Sequence, residues 1–287
     1  MKIADLIELL FLATIWSAAF LLTKIAVPEL GPVLLIELRV LLAGLMFLLW
    51  TIRLDLLAEM RKQFVPLLLL GCINLAIPLL LFAYAALYLP AGFNSILNAT
   101  APLFGTIIAA TWLSEKLTLA QFGGLVLGFA GVTILVGWTS MTLTLPLTLA
   151  ILAGLLASLL YAIAATYANQ KLKNVSSMAI STGSLISAAV VLLPITPFFL
   201  PEEFPSLKAI LATLALAFVS TALGNIFYFR LLKKIGVGKV LTVTYLIPIL
   251  ATIWSAILLK ESITISMIIG CSLILSGIAI VYLPRSQ

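Results

Sequence analysis

The chain has 287 residues, of which 63% are hydrophobic and 9% charged, with a mean hydropathy of +1.28. So little polar surface cannot cover a water-soluble globule, and the net charge of +6 is read as a membrane-orientation signal rather than a nucleic-acid footprint. Two cysteines, Cys72 and Cys271, argue against a disulfide framework, and the lack of histidine removes the usual zinc ligand and the usual neutral-pH proton shuttle.

A membrane-crossing helix takes roughly 20 apolar residues. Spans are expected at 5–26, 33–51, 64–86, 92–113, 119–137, 146–169, 178–200, 208–231, 237–259 and 264–283. These runs are continuous and not alternating, which excludes an outer-membrane barrel. Asp5 and Glu8 interrupt the start, so the first run reads as a span and not as a cleavable signal.

The first span carries Trp16 and ends near Lys24. The second carries Glu37 and Arg39, the latter about 10 Å below the outer end at about 1.5 Å per residue. Residues two apart on a helix differ by about 200°, so Glu37 and Arg39 point to opposite sides. Lys24 is the expected partner of Glu37 across the helix interface. The three either form an outer gate or anion-recognising cluster, or snorkel to the headgroups. Glu37 is the candidate for a coupled proton, as the only deep carboxylate.

In the third span Pro78 follows Asn74 by four residues and precedes Phe82; in the fourth Pro102 follows Asn98. The fifth holds Gly124, Gly128 and Gly131, small residues that permit close helix approach within the chain or between copies. After a short loop around 139–146, the sixth span carries Tyr161, the eighth Asn225 and Tyr228, and the ninth Tyr245 and Pro248, the last following Thr244 by four. Each proline removes a backbone donor and displaces the carbonyl four residues earlier. An unpaired carbonyl in lipid costs several kcal/mol, so the faces around Asn74, Asn98 and Thr244 should turn to protein or a wet cavity. Trp16, Asn74, Phe82, Asn98, Tyr161, Asn225, Tyr228 and Tyr245 supply ring area and a few hydrogen bonds, a lining suited to small amphipathic solutes.

Basic residues fall at alternate helix ends: Lys2, Arg53, Arg61, Lys62, Lys116, Lys171, Lys173, Arg230, Lys233, Lys234, Lys239 and Arg285. The opposite ends hold little beyond Lys208, Lys260, Glu202 and Glu203, which places both termini in the cytoplasm. A constant shift of about 146 positions sets Gly92 on Gly238, Pro102 on Pro248, Thr106 on Thr252, Glu115 on Glu261, Thr118 on Thr264, Gly124 on Gly270 and Gly131 on Gly277. The chain therefore reads as an all-α membrane protein of ten helices, duplicated into repeats at 1–140 and 141–287. Five spans per repeat, an odd number, invert the second copy, as in secondary carriers. In this frame Pro102 and Pro248 are matched helix breaks near a central site.

The residues Trp16-Ser17-Ala18-Ala19-Phe20 with Lys24, Leu38-Arg39, and Ala101-Pro102-Leu103-Phe104 followed by Glu115, with Pro248 and Glu261 repeating the last part, resemble the drug/metabolite transporter superfamily, specifically its EamA-type ten-helix exporters. The first-helix motif there usually reads Trp-Gly. The resemblance covers essentially the whole chain. It implies a basket of helices one to four and six to nine around a central cavity, with the fifth and tenth outside. It also implies outward movement of amino acids, other small metabolites or toxic compounds.

The expected function is thus a secondary carrier exporting small metabolites, most plausibly amino acids, across a bacterial-type inner membrane as a monomer, with no cofactor and no nucleic-acid partner. The substrate is expected to carry a carboxylate and to sit between Trp16 and Tyr161, with Lys24 and Arg39 making the outer side attractive to anions. A multidrug or toxic-compound carrier is the alternative. An intramembrane enzyme lacks a visible nucleophile with a base, and a channel suits inverted, broken helices less well. A reporter active only outside the cell should stay silent when fused after Arg285 and work when placed near Glu202; the reverse pattern overturns the topology.

Overall fold

The computed structural model of the chain describes residues 3–114, 116–137, 144–236, 240 and 242–282. Lys2, Glu115, Gly238, Lys239, Arg285 and the boundary expected after residue 140 lie outside the described residues.

Regular structure among these residues is helical throughout: α1 (Ile3–Arg53), α2 (Leu57–Lys62), α3 (Phe64–Tyr88), α4 (Ala91–Trp112), α5 (Leu119–Gly137), α6 (Leu145–Lys171), α7 (Ser177–Leu192), α8 (Leu207–Leu231), α9 (Val243–Leu259) and α10 (Ile265–Val281). Six of them, α1, α3, α4, α5, α6 and α8, are long and apolar enough to cross a membrane, and α7, α9 and α10 are shorter apolar helices.

α1 is two arms joined at Gly31, whose φ of 70° and ψ of 163° leave the helical region. Pro28 and Pro32 flank the turn, and Pro32 has no N–H to continue the ladder. α7 stops at Leu192, short of the expected 200, because Pro194 and Pro197 follow; the chain turns through a 3-10 segment, Thr196–Phe199.

The helix breaks follow the prolines and their counterparts. α3 widens into a π-helical stretch, Cys72–Ala76, just before Pro78, and α8 does the same over Leu216–Leu223. A shift of about 146 carries the first of these into the second. α4 is interrupted at Ala99 and Thr100, and Pro102 lies in the first turn of its second piece, which begins at Ala101. Pro248 instead lies inside a continuous α9. Thr106 Oγ1 donates to Pro102 O (3.1 Å) and Thr252 Oγ1 to Pro248 O (2.8 Å), so the matched prolines carry matched hydroxyl contacts.

α5 and α10 pack through glycines. A Cβ at Gly124 would stand 2.7 Å from Gly277 O, and one at Gly131 would stand 2.8 Å from Gly270 O. As the number rises along α5 it falls along α10, so the two helices run antiparallel within one chain. Gly71 of α3 approaches Ser184 and Ser187 of α7 as closely.

Polar contacts tie the helix ends. Lys234 Nζ meets Asp5 Oδ1 at 2.6 Å and Arg230 meets Glu8 at 3.2 Å, joining the ends of α1 and the helix that continues α8 to Ile235. Glu29 accepts from Ser206 N (2.6 Å) and Ser206 Oγ (2.8 Å), while Glu59 accepts from Ser176 N (2.9 Å) and Ser176 Oγ (2.6 Å). Ser206 and Ser176 are the N-caps of α8 and α7, where a carboxylate also complements the helix dipole. The same spacing of 147 positions relates Glu29 to Ser176 and Glu59 to Ser206.

Two outcomes are expected. Gly277→Val should lower stability by about 1–3 kcal/mol through overpacking, whereas Gly123→Val, whose Cβ would meet nothing within 4 Å, should leave it unchanged in a detergent melt. The backbone N–H of Ser206, and then its hydroxyl, hold the Glu29 carboxyl below the usual carboxylate range. A lowered folded pKa contributes stability above the unfolded value and loses it as pH falls through the folded one. The melting-temperature deficit of Glu29→Gln should therefore be steady near neutral pH and shrink below about pH 4.

Candidate functional site

A cavity of about 680 Å³ lies between the helices, large enough for a small organic solute. Each contributing helix presents a stripe spaced by one turn. The first arm of α1 gives Trp16, Ala19, Phe20 and Thr23, and α6 gives Tyr161, Ala165, Thr166 and Asn169. α3 supplies Asn74, Leu79 and Phe82, and α4 supplies Asn94, Asn98 and Pro102 on either side of its interruption. Ser220, Thr221 and Asn225 come from the π-helical part of α8 and the residues after it, and Thr244 and Ile247 from α9. The broken stretches of α3, α4 and α8 thus all border the cavity.

One end of the cavity lies among Leu113, Asn169 and Tyr282, at helix termini. The other lies near Thr23 and Ile36, on either side of the α1 turn. There Lys24 Nζ donates to Ala86 O (2.7 Å) and Leu89 O (3.0 Å), the last carbonyls of α3, and Glu261 Oε2 accepts from Ala91 N (2.9 Å), the first amide of α4. A cation at a helix C-terminus and a carboxylate at a helix N-terminus both match the dipoles. Together they tie α1 and the α9–α10 connection to the α3–α4 turn.

Aromatic rings shape the wall. Phe20 meets Phe82 edge-on at 6.1 Å, and Phe82 meets Tyr161 at 5.7 Å. Trp16 packs against Tyr228 at 5.4 Å, and its Nε1 fills the space a Cβ at Gly224 would need. Asn94 donates to Phe82 O (2.9 Å), fixing α4 to α3.

Of the residues singled out from sequence, Trp16, Asn74, Phe82, Asn98, Tyr161 and Asn225 share the cavity wall, as do Arg39 and Pro102. Tyr228 backs Trp16 from outside the wall, Tyr245 packs in the apolar cluster beside α4 and α10, and Pro248 lies one residue past the wall residue Ile247. The Lys24–Glu37 contact is not formed: Lys24 is drawn to the carbonyls ending α3, and neither oxygen of buried Glu37 has a hydrogen-bond partner among the described residues. Glu37 stays off the cavity wall and Arg39 joins it, as their 200° separation requires. Two helices differ from the expected basket. α7 adds no side chain to the wall, being packed against α1 and α3, and Tyr282 at the end of α10 does reach it.

Sequence reasoning missed Phe20, Thr23, Thr166 and Asn169; extending the helical faces of Trp16 and Tyr161 by one and two turns finds Phe20, Thr23 and Asn169, while Thr166 lies one turn beyond the wall residue Ala162. It also missed Thr221, whose exposure to the cavity depends on the π-helical offset, and Gly224, whose role is the room it leaves for Trp16. Among the described residues no group of three or more His, Cys, Asp or Glu is gathered that could hold a metal ion.

Residues 6–137 and 148–283 each match the model of the EamA-like transporter family. An uncharacterized transporter of Bacillus subtilis is 27% identical over 273 residues, covering 92% of this chain and 91% of that protein. A probable amino-acid metabolite efflux pump of Salmonella typhimurium is 27% identical over 291 residues, covering 94% of this chain and 92% of the pump. A protein of known crystal structure superimposes with a TM-score of 0.68 over 99% of this chain and 98% of its own, at 20% sequence identity, which is a likeness of fold.

Proposed function

The chain belongs to the EamA-like transporter family, and from that premise we propose that it is a secondary active carrier exporting small metabolites, most plausibly amino acids, across a bacterial-type inner membrane. The observation that carries this reading is the cavity itself, bordered by helix breaks that recur at matched positions of the two halves. Counting the two arms of α1 separately and setting aside short α2, the chain crosses the membrane ten times with both termini in the cytoplasm. Residues 1–140 and 141–287 form the two inverted repeats. The antiparallel glycine contacts of α5 with α10, and the mirrored clasps Glu29–Ser206 and Glu59–Ser176, support that arrangement.

In this topology the Lys24 and Glu261 contacts close the outer end while Leu113, Asn169 and Tyr282 border the cytoplasmic one, so the shape is inward-facing. Alternating access exchanges the two ends, with Pro102 and Pro248 as the flexible points. Small solutes rest against Trp16, Phe82 and Tyr161, with Asn74, Asn98 and Asn225 supplying hydrogen bonds. A multidrug carrier for lipophilic cations is the second reading, but no acidic side chain is among the described residues of the wall.

The test is exchange in proteoliposomes of a neutral amino acid against a lipophilic cation. The amino acid should exchange saturably, and Trp16→Ala should slow it by roughly tenfold, about 1.4 kcal/mol of lost contact. Preference for the cation, unsaturable flux, or indifference to Trp16→Ala would sink the assignment.

A further inference from the structure

We propose that Arg39 is the substrate-binding cation of the cavity, its guanidinium end holding the carboxylate of the transported solute, with Thr221 as the residue that positions it. The proposal rests on the carrier reading above and names the chemical class that the site accepts.

Arg39 is the one charged side chain among the described residues lining the cavity. None of the described acidic residues forms an ion pair with it, and Glu37, two residues away, faces elsewhere. A guanidinium has five N–H donors. Here Nε donates to Thr221 Oγ1 at 2.9 Å. Thr221 Oγ1 spends its own proton on Leu216 O at 2.9 Å, a five-residue offset that the π-helical stretch makes possible. Its oxygen is thereby turned to accept from Arg39. The neighbouring Ser220 hydroxyl bonds Ile15 O at 3.3 Å and pins the same stretch to α1.

With Nε occupied, the two terminal nitrogens remain, and their four N–H groups make no hydrogen bond to any described residue. A cation in a membrane cavity without a counter-ion is costly. The fork of terminal N–H groups matches the two oxygens of a carboxylate, a geometry that a lysine ammonium does not reproduce. Tyr161 lies within electrostatic reach of Arg39, and the Tyr161–Phe82–Phe20 ring series extends from it. That series gives an apolar body somewhere to lie once its carboxylate is held. The ligand class is therefore a carboxylate joined to a compact apolar body. The same body bearing an amine alone finds no counter-charge on the wall.

The test uses the full-length protein in proteoliposomes and compares counterflow of a mixture of the twenty amino acids with a mixture of the amines left when their carboxylates are removed. Wild type should exchange the acids at least about tenfold faster than the amines. Arg39→Gln should abolish that preference, Arg39→Lys should restore only part of it, and all variants are checked by thermal melts. Thr221→Val should raise the apparent KM for the acids several-fold at similar maximal rate, and Thr221→Ser should rescue it, which a merely structural role would not predict. Equal exchange of amines and acids by wild type, or unchanged preference in Arg39→Gln, overturns the assignment of Arg39 and leaves the carrier reading intact. If Arg39→Gln does not fold, a folded Arg39→Lys with wild-type rate and preference overturns it as well. Exchange of neither mixture removes the carrier reading and this proposal together.

Discussion

In a hydrocarbon surround, every peptide N–H and C=O has to find its partner inside the protein, because an orphaned group costs several kcal/mol. The remaining architecture follows from that constraint. A helix meets it automatically, and an interrupted helix meets it only by borrowing. At the interruption of α4, Leu97 O loses the regular i+4 bond and accepts a tighter one from Thr100 N at 3.0 Å, supplemented by Thr100 Oγ1 at 2.6 Å and Ser158 Oγ of α6 at 2.9 Å. The π-helical stretch of α8 borrows the Thr221 hydroxyl. Of these side chains Thr221 stands on the cavity wall, whereas Thr100 and Ser158 are fully buried away from it, and the broken stretches themselves border the cavity. The cavity and the backbone irregularities are one structural solution seen from two sides.

The helices outside the cavity obey a different economy. α5 and α10 expose little polar chemistry and are joined by backbone approach at Gly124, Gly131, Gly270 and Gly277, where contact distance replaces side-chain bulk. Lipid tails are as apolar as leucine, so close van der Waals contact is the available source of helix association there. α3 approaches α7 in the same way at Gly71, while Gly183 of α7 makes room for the Leu67 side chain. At the helix ends the fixings change to charge: Lys234 with Asp5, and Glu29 or Glu59 on a helix N-cap.

Much of this was legible in the sequence because it depends on local chemistry. Pro78 and Pro102 mark where α3 and α4 yield, although Pro248 sits in an unbroken α9. Long apolar runs mark the helices, and the matched Gly, Pro and Thr fall in the two stretches that each match the family model. The opposite facing of Glu37 and Arg39 followed from helical geometry alone. What stayed hidden depends on tertiary detail. Lys24 has carboxylates within conceivable reach, yet its ammonium goes to carbonyls whose position is set by where α3 ends. Tyr228 and Tyr245 resemble wall residues in composition, but the rotation of their helices turns one behind Trp16 and the other into the core beside α4. The placement of Thr221 requires knowing that α8 shifts to a five-residue offset, which no short motif encodes.

The elbow at Gly31 has a stereochemical corollary. Its φ of 70° and ψ of 163° belong to a region that is essentially closed to L-residues, yet a Cβ there would meet nothing within 4 Å. The barrier to substitution is therefore chirality and not crowding. Mirror inversion carries these angles to the edge of the extended basin, which means that a D-alanine fits the elbow without strain while L-alanine does not. Such a residue would also narrow the freedom of the unfolded chain at that point. The elbow between the two arms of α1 thus depends on one α-carbon that carries no side chain of L configuration.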